Sequence, residues 1–198
     1  MDLQKIGVKL FASDGCRPPL AEFVPVLHRW IQRGFLGGSL IDVVDYRHVH
    51  HGPGVMLIGF DFQLAIDEEG GERGLSVEWR RPLADDFGAR VDRVLCVALD
   101  AAIELESIEL PSGAVRFDRT RLDIRVGDRI LAPSDDATWT QFRQVIEAGV
   151  GQLLRSNHVG LARDPDPRKR MTARITASPS FSLRVLRERL AATTPTSA

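Results

Sequence analysis

Residues 40–67, LIDVVDYRHVHHGPGVMLIGFDFQLAID, decide how the chain is read. Leu40–His48 has the β-branched and aromatic content of a strand, and Val55–Asp67 reads as a second strand. Between them, His50-His51-Gly52-Pro53-Gly54 reads as a hairpin loop, with glycines where positive φ is needed. Strands joined by so short a loop run antiparallel. Val55–Phe60 is apolar on both faces and is expected to be a central strand covered on both sides, the spine of the sheet.

Lys5–Phe11 alternates, with Ile6, Val8 and Leu10 on one face and Lys5, Gly7 and Lys9 on the other, as in a half-buried strand. Pro18-Pro19 opens a helix to Arg33, with Phe23, Leu27, Trp30 and Ile31 on one stripe. Pro25 is tolerated only in a first turn, so the regular helix is expected to start near Ala21 or Glu22. Gly34, Gly37 and Gly38 end it. Gly74–Arg81 is the next strand. Asp85-Asp86 and Asp135-Asp136 precede apolar stripes running Phe87–Leu105 and Trp139–Leu153, so both mark helix starts. Short strands are expected at Ala114–Phe117, Leu122–Val126 and Asp128–Leu131. A hairpin of Val159–Arg163 and Arg170–Ala177 and a helix from Ser182 close the chain.

The order is β-α-βββ-α-βββ-α-ββ-α, and serial hairpins make the class α+β with a mainly antiparallel sheet and about four packed helices. Residues 1–191 are expected to form one domain, residues 107–113 being where two sub-units would meet, and 192–198 a disordered tail. The passages leading into the second and third helices look alike, which suggests a strand–turn–strand–helix unit used twice.

The 198 residues carry 26 basic and 27 acidic side chains, a balance that favours neither nucleic acid nor anionic lipid. Only three of the basic residues are lysine (Lys5, Lys9, Lys169). The two cysteines, Cys16 and Cys96, lack metal-type spacing and suggest a reducing compartment. With no leader and no membrane-length apolar run, the expected location is cytoplasmic.

His48 and His50 lie two apart, about 6.6 Å along a strand and on one face, so they are the candidate metal ligands. His51, Asp42, Asp45, Tyr46 and Asp61 complete a candidate pocket, with paired carboxylates suited to acid–base work. His28 is a further ligand candidate through space, though its default is a partly buried, hydrogen-bonded side chain. No Gly-x-Gly-x-x-Gly, phosphate loop or Gly-x-Ser-x-Gly is present. From Arg155 onward nine residues are basic and three acidic. Arg163, Arg168, Lys169, Arg170 and Arg174 cluster as a candidate anion or partner site. They suit pairing with the acidic remainder of this chain or of a second copy, then an acidic protein, then nucleic acid, for which interleaved aromatics are missing.

The runs His28-Arg29-Trp30-Ile31-Gln32, Leu40-Ile-Asp-Val-Val-Asp-Tyr-Arg-His-Val, Gly52-Pro-Gly-Val, Leu57-Ile-Gly, Leu131-Ala-Pro and Arg163-Asp-Pro-Asp-Pro-Arg resemble an uncharacterised bacterial protein family. The resemblance spans most of the chain and implies an intact bacterial cytoplasmic domain, with no activity to carry over. Phe60 stands where that family has a histidine, which weakens a metal site there. The leading expectation is a non-catalytic binding or assembly protein, a self-associating homodimer without cofactor. The alternative is a metal-dependent (zinc, for example) or small-molecule-binding enzyme or sensor with its site at the 40–67 hairpin.

Overall fold

The computed structural model describes residues 3–50, 52–83, 85–155, 158–166 and 168–193. In chain order they form β1 (Ile6–Ala12), a 3-10 turn (Leu20–Glu22) leading into α1 (Phe23–Arg33), β2 (Leu40–Tyr46), β3 (Gly54–Gly59), β4 (Phe62–Asp67), β5 (Gly74–Trp79) and α2 (Phe87–Ser107). There follow β6 (Glu109–Leu110), β7 (Gly113–Ala114), β8 (Phe117–Val126), α3 (Asp136–Leu154), β9 (His158–Arg163), β10 (Thr172–Ser178) and α4 (Leu183–Thr193). Eight strands make one sheet in the order β2-β3-β4-β5-β1-β8-β10-β9, every pairing antiparallel. The fold is α+β, four helices and a large antiparallel sheet, as the hairpin pattern predicts. Among the described residues no helix is long and apolar enough to cross a membrane.

Local signals behave as their chemistry demands. Asp86 caps α2 by accepting from the Ala89 N–H at 3.0 Å, and Asp135 caps α3 by accepting from the Thr138 N–H at 2.8 Å. Pro25 sits at the third position of α1, where no intrahelical bond is lost. Gly34 ends that helix in the left-handed region. Gly54, at φ 68°, faces the Ile66 carbonyl so closely that a Cβ would lie 2.2 Å from its oxygen.

Two strand expectations change. Val55–Asp67 is not one strand. It turns back at Phe60-Asp61 into the β3–β4 hairpin, so four strands separate α1 from α2. A Cβ on Gly59 would come within 2.8 Å of the Phe62 oxygen, so the turn requires glycine there. Asp128–Leu131 forms a turn in place of a strand, because the Asp128 carboxylate accepts from the Ile130 and Leu131 N–H groups at 3.0 and 3.2 Å. The suggested repeat therefore lacks its second strand. Residues 107–113 lead through the small β6–β7 hairpin back into the same sheet, where β8 pairs with β1. Ala192 and Thr193, expected in the tail, belong to α4; 194–198 lie outside the described residues.

Strand register gives the sheet two chemically different faces. Across one run Leu57, Leu64, Val77, Val8, Ile124 and Ala173 in neighbouring positions. All four helices pack on this face, and their apolar residues join it in a single buried cluster that includes Trp30, Leu99, Phe142 and Leu190. Across the other face run Met56, Ala65, Ser76, Lys9, Asp123 and Arg174. The centre of the sheet is β1, flanked by β5 and β8, while β3 lies next to the β2 edge. β1 is buried on both faces rather than half-buried.

Lys9, 3% exposed, donates to Asp67 (4% exposed) at 2.5 Å and to the Glu72 carbonyl at 2.7 Å, with the Glu69 carbonyl at 3.4 Å. The ammonium's three N–H groups thus have three acceptors. Asp67 also accepts from the Glu69 N–H at 3.1 Å, which pins the β4–β5 turn over β1. Lys9→Met strands the Asp67 carboxylate and is expected to destabilise the fold by about 3–5 kcal/mol in urea unfolding, with Lys9→Met/Asp67→Leu recovering much of that loss.

Candidate functional site

Along β2 the candidate residues of the 40–67 hairpin divide into two groups. Asp42 pairs with Ile58 near the Phe60-Asp61 turn, whereas Asp45 and Tyr46 lie beside Val55 and Gly54 at the other end. Asp61 is therefore a strand's length, roughly 20 Å, from the His48–Gly54 end. Asp42, Asp45, Tyr46, His48 and His50 are all exposed. The Tyr46 and His48 rings lie 6.4 Å apart. His51 lies outside the described residues, and among those described no group of three His, Cys, Asp or Glu is placed to hold a metal ion. His28 is exposed rather than partly buried, and Cys16 and Cys96 are both free thiols. Burial pushes the Cys96 thiol up, away from reactivity.

Instead of converging, the two aspartates guard the edge of the sheet. Asp42 accepts from the Val43 N–H at 2.7 Å. Asp45 accepts from the Arg47 N–H at 3.0 Å and from Arg47 Nε at 2.8 Å. The Arg47 side chain holds the Asp45 carboxyl down at about 2. Charged side chains turned onto backbone donors blunt an edge strand against pairing with other chains.

The basic cluster meets this chain's own carboxylates. Arg174 grips Asp123 with two bonds of 3.1 Å, Arg170 pairs with Glu78, and Arg163 lies 2.8 Å from Asp136. Lys169 reaches Asp164 and Arg168 reaches Asp166, each at 3.1 Å. On the last helix Arg187 bonds Asp100 of α2 at 2.7 Å. The charge asymmetry between the two parts of the chain is largely spent inside the molecule.

Arg174–Asp123 and Arg170–Glu78 belong to a network over the helix-free face of the sheet. Arg125 bonds Glu69 at 2.7 Å, and Arg121 bonds Glu72 at 2.5 Å and Asp118 at 2.8 Å. Phe11 lies among the cations, its ring centroid 4.2 Å from the Arg121 guanidinium and 5.4 Å from the Lys9 ammonium. Burial raises the Glu69 carboxyl, but the charge and hydrogen bond of Arg125 outweigh it and the net shift is downward. Glu72 is lowered against burial in the same way by Arg121.

A groove of about 230 Å3 opens on this face. Met56, Gln63, Ala65 and Ser76 form its floor, and Gly52 and Pro53 of the hairpin loop form one wall. Asp67, Glu69, Glu78, Arg125 and Arg170 supply the charge. The 40–67 stretch does border a pocket, through Gly52, Pro53, Met56, Gln63, Ala65 and Asp67. Of the residues singled out from sequence, Arg170 alone lines it. Arg125 and Glu78 face each other across Gly7, which has no side chain; a Cβ there would lie 2.9 Å from Arg125 Cγ and 3.1 Å from Glu78 Cγ. The signal in sequence was a charge alternating with aliphatics, as in Leu122-Asp-Ile-Arg-Val, which is also the pattern of a solvated strand face.

No family model matches this chain, and no curated protein matches it. That accords with a resemblance to a family without an assigned activity.

Two outcomes follow from the electrostatics. Arg47→Ala releases the Asp45 carboxyl, which should rise from about 2 toward 3.8 in a carboxyl-resolved NMR titration. Glu69 and Glu72 have folded-state values below the ordinary 4.5, so their ion pairs favour the folded state above that pH and lose this effect as pH falls below it. The urea midpoint should drop through that acid range, and less steeply in Glu69→Gln/Glu72→Gln.

Proposed function

We propose that this chain is a non-catalytic assembly protein that associates with a second copy of itself. The observation that carries the proposal is the apolar tip at Ile130-Leu131. Ile130 is 91% exposed and Leu131 57% exposed. The tip is not a loose loop. The Asp128 carboxylate accepts from both of its N–H groups, and the Ala132 N–H returns to the Asp128 carbonyl at 2.9 Å. Two aliphatic side chains held rigidly in water are a preorganised contact, which lowers the ordering cost of binding.

A complementary surface exists on the same molecule. A cleft of about 460 Å3 lies between the start of α2 and the middle of α3, lined by Phe87, Phe142 and Val145 with Asp86 at its rim. In a two-fold pair each copy's tip would enter the other's cleft, where Arg90 and Asp86 supply one charge of each sign. Two further observations support a binding rather than a catalytic role. Glu69 and Glu72 are shifted away from neutral pH, where a general acid or base works. The arginines and lysine of the 163–174 cluster are engaged by this chain's own carboxylates, which removes the motive for an acidic partner.

Size-exclusion chromatography with light scattering tests the reading. The expected mass is twice the 22.0 kDa of the chain, falling to one chain in Ile130→Asp with an unchanged thermal midpoint. A wild-type protein that stays monomeric at high micromolar concentration overturns it.

A further inference from the structure

We infer that the groove on the helix-free face of the sheet binds a free zwitterionic α-amino acid with an apolar side chain. This goes beyond self-association and rests on different residues. The groove holds both signs of charge in one small space. Three carboxylates (Asp67, Glu69, Glu78) line it with two guanidiniums (Arg125, Arg170), and Lys9 lies behind Asp67. The local balance is neutral, so neither a simple anion nor a simple cation is favoured by net field. A molecule carrying both an ammonium and a carboxylate matches it.

Hydrogen-bonding capacity of both kinds is left over. Arg125 is 7% exposed and uses Nη1 on Glu69, while its buried Nε has no acceptor among the described residues. The enclosed Nε lies out of a ligand's reach, so a carboxylate in the groove meets Arg125 on the side of its guanidinium that lines the groove, through a charge-assisted bond. Among the described residues Arg170 likewise bonds only through Nη1, to Glu78. On the acidic side, Asp67 Oδ1 accepts twice while Oδ2 accepts from no described residue. Glu69 Oε2 is taken by Arg125 and Oε1 by no described residue. Those oxygens are acceptors for an ammonium.

The rest of the groove is small, and beside Gln63 and Ser76 it has an apolar side. Gly52, Pro53, Met56 and Ala65 offer an aliphatic side chain a wall and floor. About 230 Å3 is below the usual range for drug-sized ligands, roughly 300–1,000 Å3, which limits the occupant to something the size of one amino acid.

Calorimetry and thermal shift with leucine, valine and methionine test the assignment on the full chain. At least one should bind saturably and raise the melting temperature. N-acetyl-leucine and leucine methyl ester, each lacking one charge, should bind at least about tenfold more weakly. Arg125→Lys keeps the charge but loses the planar guanidinium and should cost a similar factor; Arg170→Gln, at a more exposed position, should weaken binding without lowering the melting temperature. The inference is overturned by three silent amino acids at millimolar concentration. It is equally overturned by acetate binding as tightly as the amino acids, or by affinity unchanged in both variants.

Discussion

The ammonium of Lys9 against the carboxylate of Asp67 is the contact on which the other arrangements depend. β1, with β5 beside it, is one of the two central strands, with four strands on one side and three on the other, so it has no route to water at either edge. A lysine at that position is tolerated only when all three of its donors are met. Asp67 closes β4, and the Glu69 and Glu72 carbonyls belong to the turn after it. Satisfying Lys9 therefore fixes how the β4–β5 turn bends over the sheet. That bend brings Glu69 to Arg125 and Glu72 to Arg121 and Arg174.

One sheet thus carries two kinds of cohesion. The helix-covered face is held by aliphatic and aromatic burial, which is non-directional and dominates folding free energy. The opposite face is held by charged pairs that are directional. Individually such half-exposed pairs add little, and a linked set gains from shared geometry. Arginine, with its planar fork, suits this face because Asp123, Glu72, Glu69 and Glu78 are each met from a neighbouring strand or turn. The groove lies where the ion-paired half of this face meets the apolar wall of the Gly52-Pro53 loop, and its character comes from that junction.

The α+β class, the helix caps at Asp86 and Asp135, the glycine stop at Gly34 and the closing hairpin were legible because each depends on residues within a few positions of one another. The misreadings have equally local causes. Gly59-Phe60-Asp61 lacks the usual Asn-Gly or Asp-Gly signature, so a continuous apolar run concealed a tight turn. Asp128-Arg129-Ile130-Leu131 had strand-like side chains, but an aspartate bonding two successive backbone donors made it a turn. His48 and His50 drew attention because of their spacing, yet they lie in the exposed turn that follows the edge strand β2.

By itself, the sequence determined the four helices, most of the strands, that the sheet is antiparallel, and which aliphatic face it buries. Those properties follow from periodicity, capping and turn chemistry, all of which act over short range. Only the tertiary structure decided that β1 is central, that the charges on its second face are buried and paired, and that Arg125, Glu78 and Asp67 share a groove with Pro53. The register of strands as distant as β1, β5 and β8 places those groups together. A charge on a strand reads the same in sequence whether water or a carboxylate from elsewhere in the chain is its partner.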